Sequence, residues 1–338
     1  MSEPHPTTAV VLVNLGTPAA PTARAVRPYL REFLTDRRVV TMHPALWRPI
    51  LELGVLSSRP RASAAKYRTV WTPTGSPLLV HTQAQVAALQ AALGPDVTVA
   101  GAMRYGDPAL GDVLAGLVDG GHERVLVVPL YPQYAGSATG TVLERAHRAI
   151  AALPRHPELR TVRAFGEHPA YVEAVCSALE ERWEAVGRPD PAAGDRVVLS
   201  FHSIPVAMSD AGDPYLAECE RTAAAVRARL GLDADACVLT FQSRFGPAQW
   251  LGPATIDTVQ VLGAAGSRRT EVVCPGFVSD CLETLEEIEQ LNREAYERAG
   301  GTGFAYVPWG NSRAAWTDAL AEIVRPHLSG WLSVGASR

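Results

Sequence analysis

Val10-Val-Leu-Val-Asn-Leu-Gly-Thr-Pro18 and Val197-Val-Leu-Ser-Phe-His-Ser-Ile-Pro205 share one pattern. Each is a short apolar run rich in β-branched residues, followed by a turn that proline closes. Each also opens a series of three corresponding blocks. The first half continues with Ala102-Met-Arg-Tyr-Gly106 and Arg124-Val-Leu-Val-Val-Pro-Leu-Tyr-Pro132. The second continues with Phe241-Gln-Ser-Arg-Phe-Gly246 and Thr270-Glu-Val-Val-Cys-Pro-Gly-Phe277. Arg104-Tyr-Gly against Arg244-Phe-Gly is the sharpest internal match. Strands are expected at Ala9–Asn14, Val97–Met103, Arg124–Leu130, Arg160–Ala164, Arg196–Phe201, Cys237–Gln242, Thr270–Cys274 and Phe304–Val307. Helical periodicity falls between them, as in Thr82–Leu93, Tyr171–Val186, Pro214–Leu230 and Cys281–Ala299. A nearly continuous apolar strand such as Val125–Leu130 suits a parallel sheet covered on both faces. The chain therefore reads as α/β, with two similar doubly wound, Rossmann-like domains. They are expected to face each other across a cleft lined by the carboxyl ends of both sheets, where such sheets bind ligands. The expected boundaries are 1–165, with an insertion at 40–75, and 166–310, with 311–338 as a helix and tail packing back on the N-terminal domain.

The chain has 338 residues and a formal net charge of -4, which gives no electrostatic case for a nucleic-acid partner. Five cysteines without a C-x-x-C pair make no disulfide framework. Met1–Thr8 lacks the basic and apolar regions of a signal peptide, and no apolar run is long enough for a membrane span. A soluble cytoplasmic enzyme is the expectation. The insertion holds Ala45-Leu-Trp-Arg-Pro-Ile-Leu-Glu-Leu-Gly-Val-Leu56 and then the basic Arg59-Pro-Arg61. It reads either as a buried helix with a solvated loop, or as a lip that handles an apolar substrate and touches the inner face of the membrane peripherally.

Of nine histidines, His202 stands apart because it directly follows an apolar strand and so belongs at a sheet's carboxyl edge. Asp280-Cys-Leu-Glu-Thr-Leu-Glu-Glu-Ile-Glu289 supplies possible opposing groups. Asp280 and Glu283 have capping-box spacing, which would open a helix after the strand Thr270–Cys274. Glu283 and Glu287 lie four apart and so stack on one helix face, where like charges repel by a few tenths of a kcal/mol. An imidazole beside a file of carboxylates suits proton removal and brief metal handling. There is no H-E-x-x-H, Gly-rich phosphate loop or G-x-S-x-G elbow, so a transient metal fits better than a resident one.

Several longer blocks carry a resemblance. Val13-Asn-Leu-Gly-Thr-Pro18, Ala102-Met-Arg-Tyr-Gly-Asp-Pro108, Leu130-Tyr-Pro-Gln-Tyr134 with Thr139-Gly140, Ser200-Phe-His-Ser-Ile-Pro205, Gly212-Asp-Pro-Tyr215, Phe241-Gln-Ser-Arg244 with Trp250-Leu-Gly-Pro253, and Cys274-Pro-Gly-Phe-Val-Ser-Asp-Cys-Leu-Glu-Thr-Leu-Glu-Glu287 resemble ferrochelatases from residue 9 to 328. The resemblance implies the chelatase fold and a lyase that forms metal–nitrogen bonds. It would insert Fe²⁺ into protoporphyrin IX, giving protohaem and two protons. It also implies that His202 is the essential histidine and Glu283 the opposing glutamate, acting from different lobes, with Glu287 continuing the acidic file. The metal would meet His202, Glu283 and Glu287. Leu15, Arg31, Arg104, Tyr105, Tyr134, Ser137 and Phe277 fall on positions that line the porphyrin cleft or hold the propionates in relatives.

The departures matter as well. Ala135, Gly136 and Ala138 leave fewer hydroxyls beside Tyr134 than relatives have. No cysteines follow Leu328 and Gly136 stands at the other ligand position, so no [2Fe–2S] cluster of the kind some relatives carry is expected, and no permanent cofactor. Trp309-Gly-Asn-Ser-Arg-Ala-Ala-Trp316 replaces a Leu-Asn, then Pro, pattern. Cys281 sits where some relatives have histidine. Leu15 stands where one branch, acting on coproporphyrin III, has an iron-ligating tyrosine, which favours protoporphyrin IX. The alternatives are coproporphyrin III, another metal or tetrapyrrole, and a non-catalytic porphyrin or haem carrier.

Overall fold

The computed structural model describes residues 7–244, 246 and 248–332. Thr7–Gly16 forms β1, and Val97–Tyr105 (β2) and His122–Pro129 (β3) pair with it in parallel on either side. Glu158–Thr161 (β4) extends the sheet beyond β3, so the order is β2-β1-β3-β4. Both faces of the central strand are sealed. Ala9, Val11 and Val13 pack with Leu110, Leu114, Val142 and Ile150 on one side, while Val10 and Leu12 are fully buried on the other. Such continuous burial is why this strand reads as an unbroken apolar run rather than an alternating one. Gly16 ends β1 at φ +113, where a Cβ would come within 1.8 Å of the Tyr105 carbonyl oxygen, so only glycine fits this approach.

The second sheet repeats the first. Arg196–His202 (β5), Cys237–Gln242 (β6), Thr270–Val273 (β7) and Phe304–Tyr306 (β8) are all parallel in the order β6-β5-β7-β8. Val198, Val272, Cys274 and Phe304 form its core with Val259, Ile288 and Tyr296. The equivalence extends to loops. The Met103 amide donates to the Pro108 carbonyl and the Phe241 amide to the Pro253 carbonyl, and both prolines follow a cis peptide bond. This pairing makes Met103 the counterpart of Phe241, and Arg104 therefore the counterpart of Gln242. Arg104-Tyr-Gly and Arg244-Phe-Gly, the best match by letters, are thus two residues out of register. Arg104 lies within a strand while Arg244 lies beyond one, and Phe245 falls outside the described residues.

Two compact units result. One comprises residues 7–131, 136–164 and 320–332, the other 132–135 and 165–319, over the described residues. The tail Leu320–Leu332 belongs to the first unit, where Arg160 donates to the carbonyls of His327 and Ser329 and stacks over Trp331. The insertion is helical: Pro44–Pro49, a π-helical turn at Ile50–Val55, and Leu56–Val70. The fourth strand was expected at Arg160–Ala164 but forms at Glu158–Thr161, because β3 sets the register through Arg124–Glu158. The helix expected over Cys281–Ala299 is instead a π-helix at Glu283–Asn292 followed by a short α-helix at Arg293–Arg298.

Candidate active site

Parallel strands finish side by side, so whatever follows β5, β6 and β7 gathers at one edge of one sheet. In this strand order the chain leaves β5 toward β6 on one side and returns to β7 on the other. The crevice beyond β5 and β7 is therefore the topological switch point. His202 is the last residue of β5, exposed and in register with Gln242. The backbone after it is pinned: Ser203 N–H donates to Gln242 O, Leu251 N–H to Ile204 O and Val206 N–H to Gln249 O. The His202 Nδ1 lies 2.6 Å from the Ser203 carbonyl. A carbonyl oxygen only accepts, so Nδ1 carries the proton of the neutral ring and Nε2 keeps its lone pair. Phe277, from the loop after β7, tilts toward the imidazole with ring centroids 6.4 Å apart.

The acidic file is built on the π-helix that follows the same loop. Gln242, at the end of β6, donates its side-chain N–H to the Glu283 carbonyl at 2.8 Å. The Gln242 Oε1 accepts from Ser200 Oγ at 2.7 Å, and Ser200 contacts Thr255, so a buried polar chain runs from the core to the helix start. The next residue, Ser243, donates its amide to Glu287 Oε1 at 2.7 Å and its hydroxyl to Glu287 Oε2 at 2.5 Å. Burial pushes the Glu287 carboxyl up. The Ser243 bonds oppose that rise, as does His202 whenever its ring takes up a second proton, and Glu283 adds to it. His202, Glu283 and Glu287 thus act on one another electrostatically. Among the described residues no group of three or more His, Cys, Asp or Glu is gathered so as to hold a metal ion.

The expectation that His202 and Glu283 act from different lobes is corrected here. Both belong to the unit containing residues 165–319, because β5 and β7 are neighbours in a single sheet. Asp280 does not form the expected capping box with Glu283. Its own amide donates to Asn311 Oδ1, and its carboxylate accepts from Thr284, Tyr306 and Asn311. Tyr134 lies in the same unit, half-buried, with its amide donating to Glu218.

The remaining expected residues lie in the other unit. Leu15 and Ser137 are half-buried at the ends of β1 and at the π-helical turn Gly136–Gly140, respectively. Arg31 is exposed and pairs through two bonds with Glu52. Arg104 pairs with Asp36 and donates to Thr141 at 2.6 Å. Tyr105 has no exposed surface. Its hydroxyl donates to Asp36 at 2.9 Å and its ring packs edge-on to Phe33, so its expected contact with a porphyrin is corrected to a packing role. Burial alone would raise Asp36, but bonds from Thr141, the Arg38 amide and Tyr105, with the Arg104 charge, hold it below the usual carboxylate range.

Sequence reasoning missed four residues that shape the site: Gln242, Ser243, Trp309 and Asn311. Trp309 anchors the loop after β7 through its indole N–H to Cys274 O, and Asn311 holds Asp280 with its backbone at φ +61. For Gln242 and Ser243 the signal was present, since polar residues at the end of an apolar strand are out of place in a core. In the sequence they stand out only within the repeat and within the Phe241–Arg244 block of the family resemblance, with no role of their own. Cys281 is buried, and a hydrogen bond to Glu283 adds to the burial that raises its thiol.

The family model described as Ferrochelatase matches residues 7–328. Two solved structures share the fold. SirB from Bacillus subtilis with Fe³⁺ is 15% identical, with a TM-score of 0.56 and 96% of each chain covered. The sirohydrochlorin chelatase SirB from Bacillus subtilis subspecies spizizenii, in complex with cobalt, is 14% identical, with a TM-score of 0.51 and 94% of each chain covered.

Proposed function

We propose, from the premise that this chain belongs to the ferrochelatase family, that it is a chelatase that inserts a divalent metal into a tetrapyrrole. Its reaction is Fe²⁺ insertion into protoporphyrin IX. The observation that carries this reading is the imidazole with a free Nε2 at the switch point, beside the half-buried Glu287 carboxylate that senses both His202 and Glu283. Proton removal at a protein site needs a base with an available lone pair, and metal delivery needs oxygen or nitrogen donors that release the ion. Imidazole and carboxylates supply both.

A free-base porphyrin carries two N–H protons and directs the lone pairs of its other two nitrogens into the ring plane. A site that favours a bent ring exposes those lone pairs and so favours the metallation transition state. His202 Nε2 accepts a pyrrole proton, while Glu283 and Glu287 present the ion. Two N–H bonds break, the metal gains its nitrogen ligands, and two protons leave. Fe²⁺ is a substrate, and no resident cofactor or [2Fe–2S] cluster takes part. Leu15 in place of a ligating tyrosine supports protoporphyrin IX over coproporphyrin III.

The insertion supports a peripheral membrane contact. Met42, Leu46, Ile50 and Leu53 are exposed large apolar side chains, with the exposed Arg48 among them. Among the described residues no helix is long and apolar enough to cross a membrane.

The test is metal insertion by the purified protein under anaerobic conditions. Fe²⁺ or Zn²⁺ is supplied with protoporphyrin IX, coproporphyrin III or a non-porphyrin tetrapyrrole, and the absorption spectrum is followed. Turnover of protoporphyrin IX is expected. Turnover of the non-porphyrin alone would move the substrate to another class, and binding without turnover would make the protein a carrier. His202→Ala should lower kcat by about a hundredfold or more, the usual contribution of a positioned base, with porphyrin binding kept. Loss of binding together with turnover would show His202 to be a packing residue.

A further inference from the structure

We infer that Ser243 is the positioning residue of the acidic file, fixing the Glu287 carboxylate before a metal ion arrives; this rests on the reading of the site as metal-handling. Ser243 occupies a left-handed backbone conformation at φ +67, which glycine adopts without penalty and serine does not. A hydroxyl kept at such a position needs a reason, and its contact supplies one. That conformation turns both donors of a single residue, the amide and the hydroxyl, onto the two oxygens of Glu287. The neighbouring Gln242 bonds the Glu283 main-chain carbonyl, so two successive residues at the end of β6 hold the start of the helix and the Glu287 carboxylate on it.

The consequence is preorganisation. A free glutamate side chain loses rotamer freedom when it meets an ion, whereas one held by two donors has lost it already. Each Glu287 oxygen still has a lone pair beyond the bond it accepts from Ser243. Ser243 thus acts through Glu287 on the metal and has no direct part in porphyrin binding.

The experiment compares the wild type with Ser243→Ala, Ser243→Gly, Glu287→Gln and the Ser243→Ala/Glu287→Gln double variant. Zn²⁺ is varied at fixed protoporphyrin IX, then the porphyrin at fixed Zn²⁺, and Zn²⁺ is also titrated calorimetrically into the porphyrin-free protein. Losing one hydrogen bond to a carboxylate should raise KM for Zn²⁺ and weaken its binding by about tenfold, with KM for porphyrin changed by less than about twofold. Alanine and glycine should behave alike, because both keep the amide and lose the hydroxyl. The double variant should be no worse than Glu287→Gln, since an effect exerted through Glu287 vanishes with it. Equal rises in both KM values, a penalty that adds in the double variant, or unchanged Zn²⁺ binding in Ser243→Ala would overturn the inference. A wild type that binds Zn²⁺ but metallates no tetrapyrrole would remove the proposed function, while the titration would still report on Ser243.

Discussion

A buried ion pair can look like a ligand site when only letters are read. Arg104 and Tyr105 do not stand free for a substrate, because Asp36 takes both. The Arg104 side chain is 13% exposed and that of Asp36 8%, so removing either partner leaves the other charge inside the protein. Asp36→Asn should therefore destabilise the protein by about 3 kcal/mol at pH 7, measured by denaturant unfolding. The pH dependence has a definite sign. The Asp36 carboxyl titrates below its ordinary value of 3.8 when folded, so its contribution is complete above that value and fades as acid protonates it. The wild type should lose this increment below about pH 4, and the Asn variant should lack that part of the acid-side loss. An identical acid limb in both proteins would mean that Asp36 contributes little to the fold.

The insertion shows how one short element can serve two surfaces. Leu51 and Leu56 are fully buried with Leu34, and Trp47 packs against them while donating its indole N–H to Leu34 O at 2.6 Å. Leu46 and Leu53 point the other way, 66% and 81% exposed. The segment thus packs on one side and exposes aliphatic side chains on the other, and Trp47 belongs to the packed side. Leu46, Ile50 and Leu53 changed together to Ser should leave the melting temperature within a few degrees, because exposed positions contribute little. Partitioning onto anionic vesicles should fall by about tenfold or more, given the transfer energy of three aliphatic side chains. Unchanged partitioning would leave this face without a membrane role. The π-helical segment Glu283–Asn292 teaches a different lesson. π-Helical turns gather at functional sites, and the one at Glu283–Asn292 carries both acids. The spacing that stacks them was legible, but the pitch of the helix was not.

The chain makes its two sheets in sequence and then returns to the first unit, since Leu320–Leu332 belongs with β1–β4. Arg160 is the fastening there, with two carbonyl acceptors at 2.9 and 2.8 Å and the Trp331 ring 4.1 Å beneath its guanidinium. Arg124 adds a bond to the Trp331 carbonyl. Arg160→Ala should release the tail, seen as faster amide exchange at Leu328 and Trp331 and a lower melting temperature by a few degrees, from the loss of about 1–2 kcal/mol. Protection unchanged at those amides would place the fastening elsewhere.

Periodicity and the doubled blocks were enough to specify two parallel α/β sheets, because a strand buried on both faces must be apolar throughout, and Val10–Val13 and Val197–Leu199 are. His202 was legible for a related reason, as a polar side chain where an apolar run stops. Tertiary structure alone decided the rest. It placed His202 and Glu283 in one unit, buried Tyr105, and turned Ser243 onto Glu287. Those outcomes depend on which strands become neighbours and on one backbone dihedral, and local sequence encodes neither: hydrogen bonds between residues some forty positions apart exist only after the sheet has set its order.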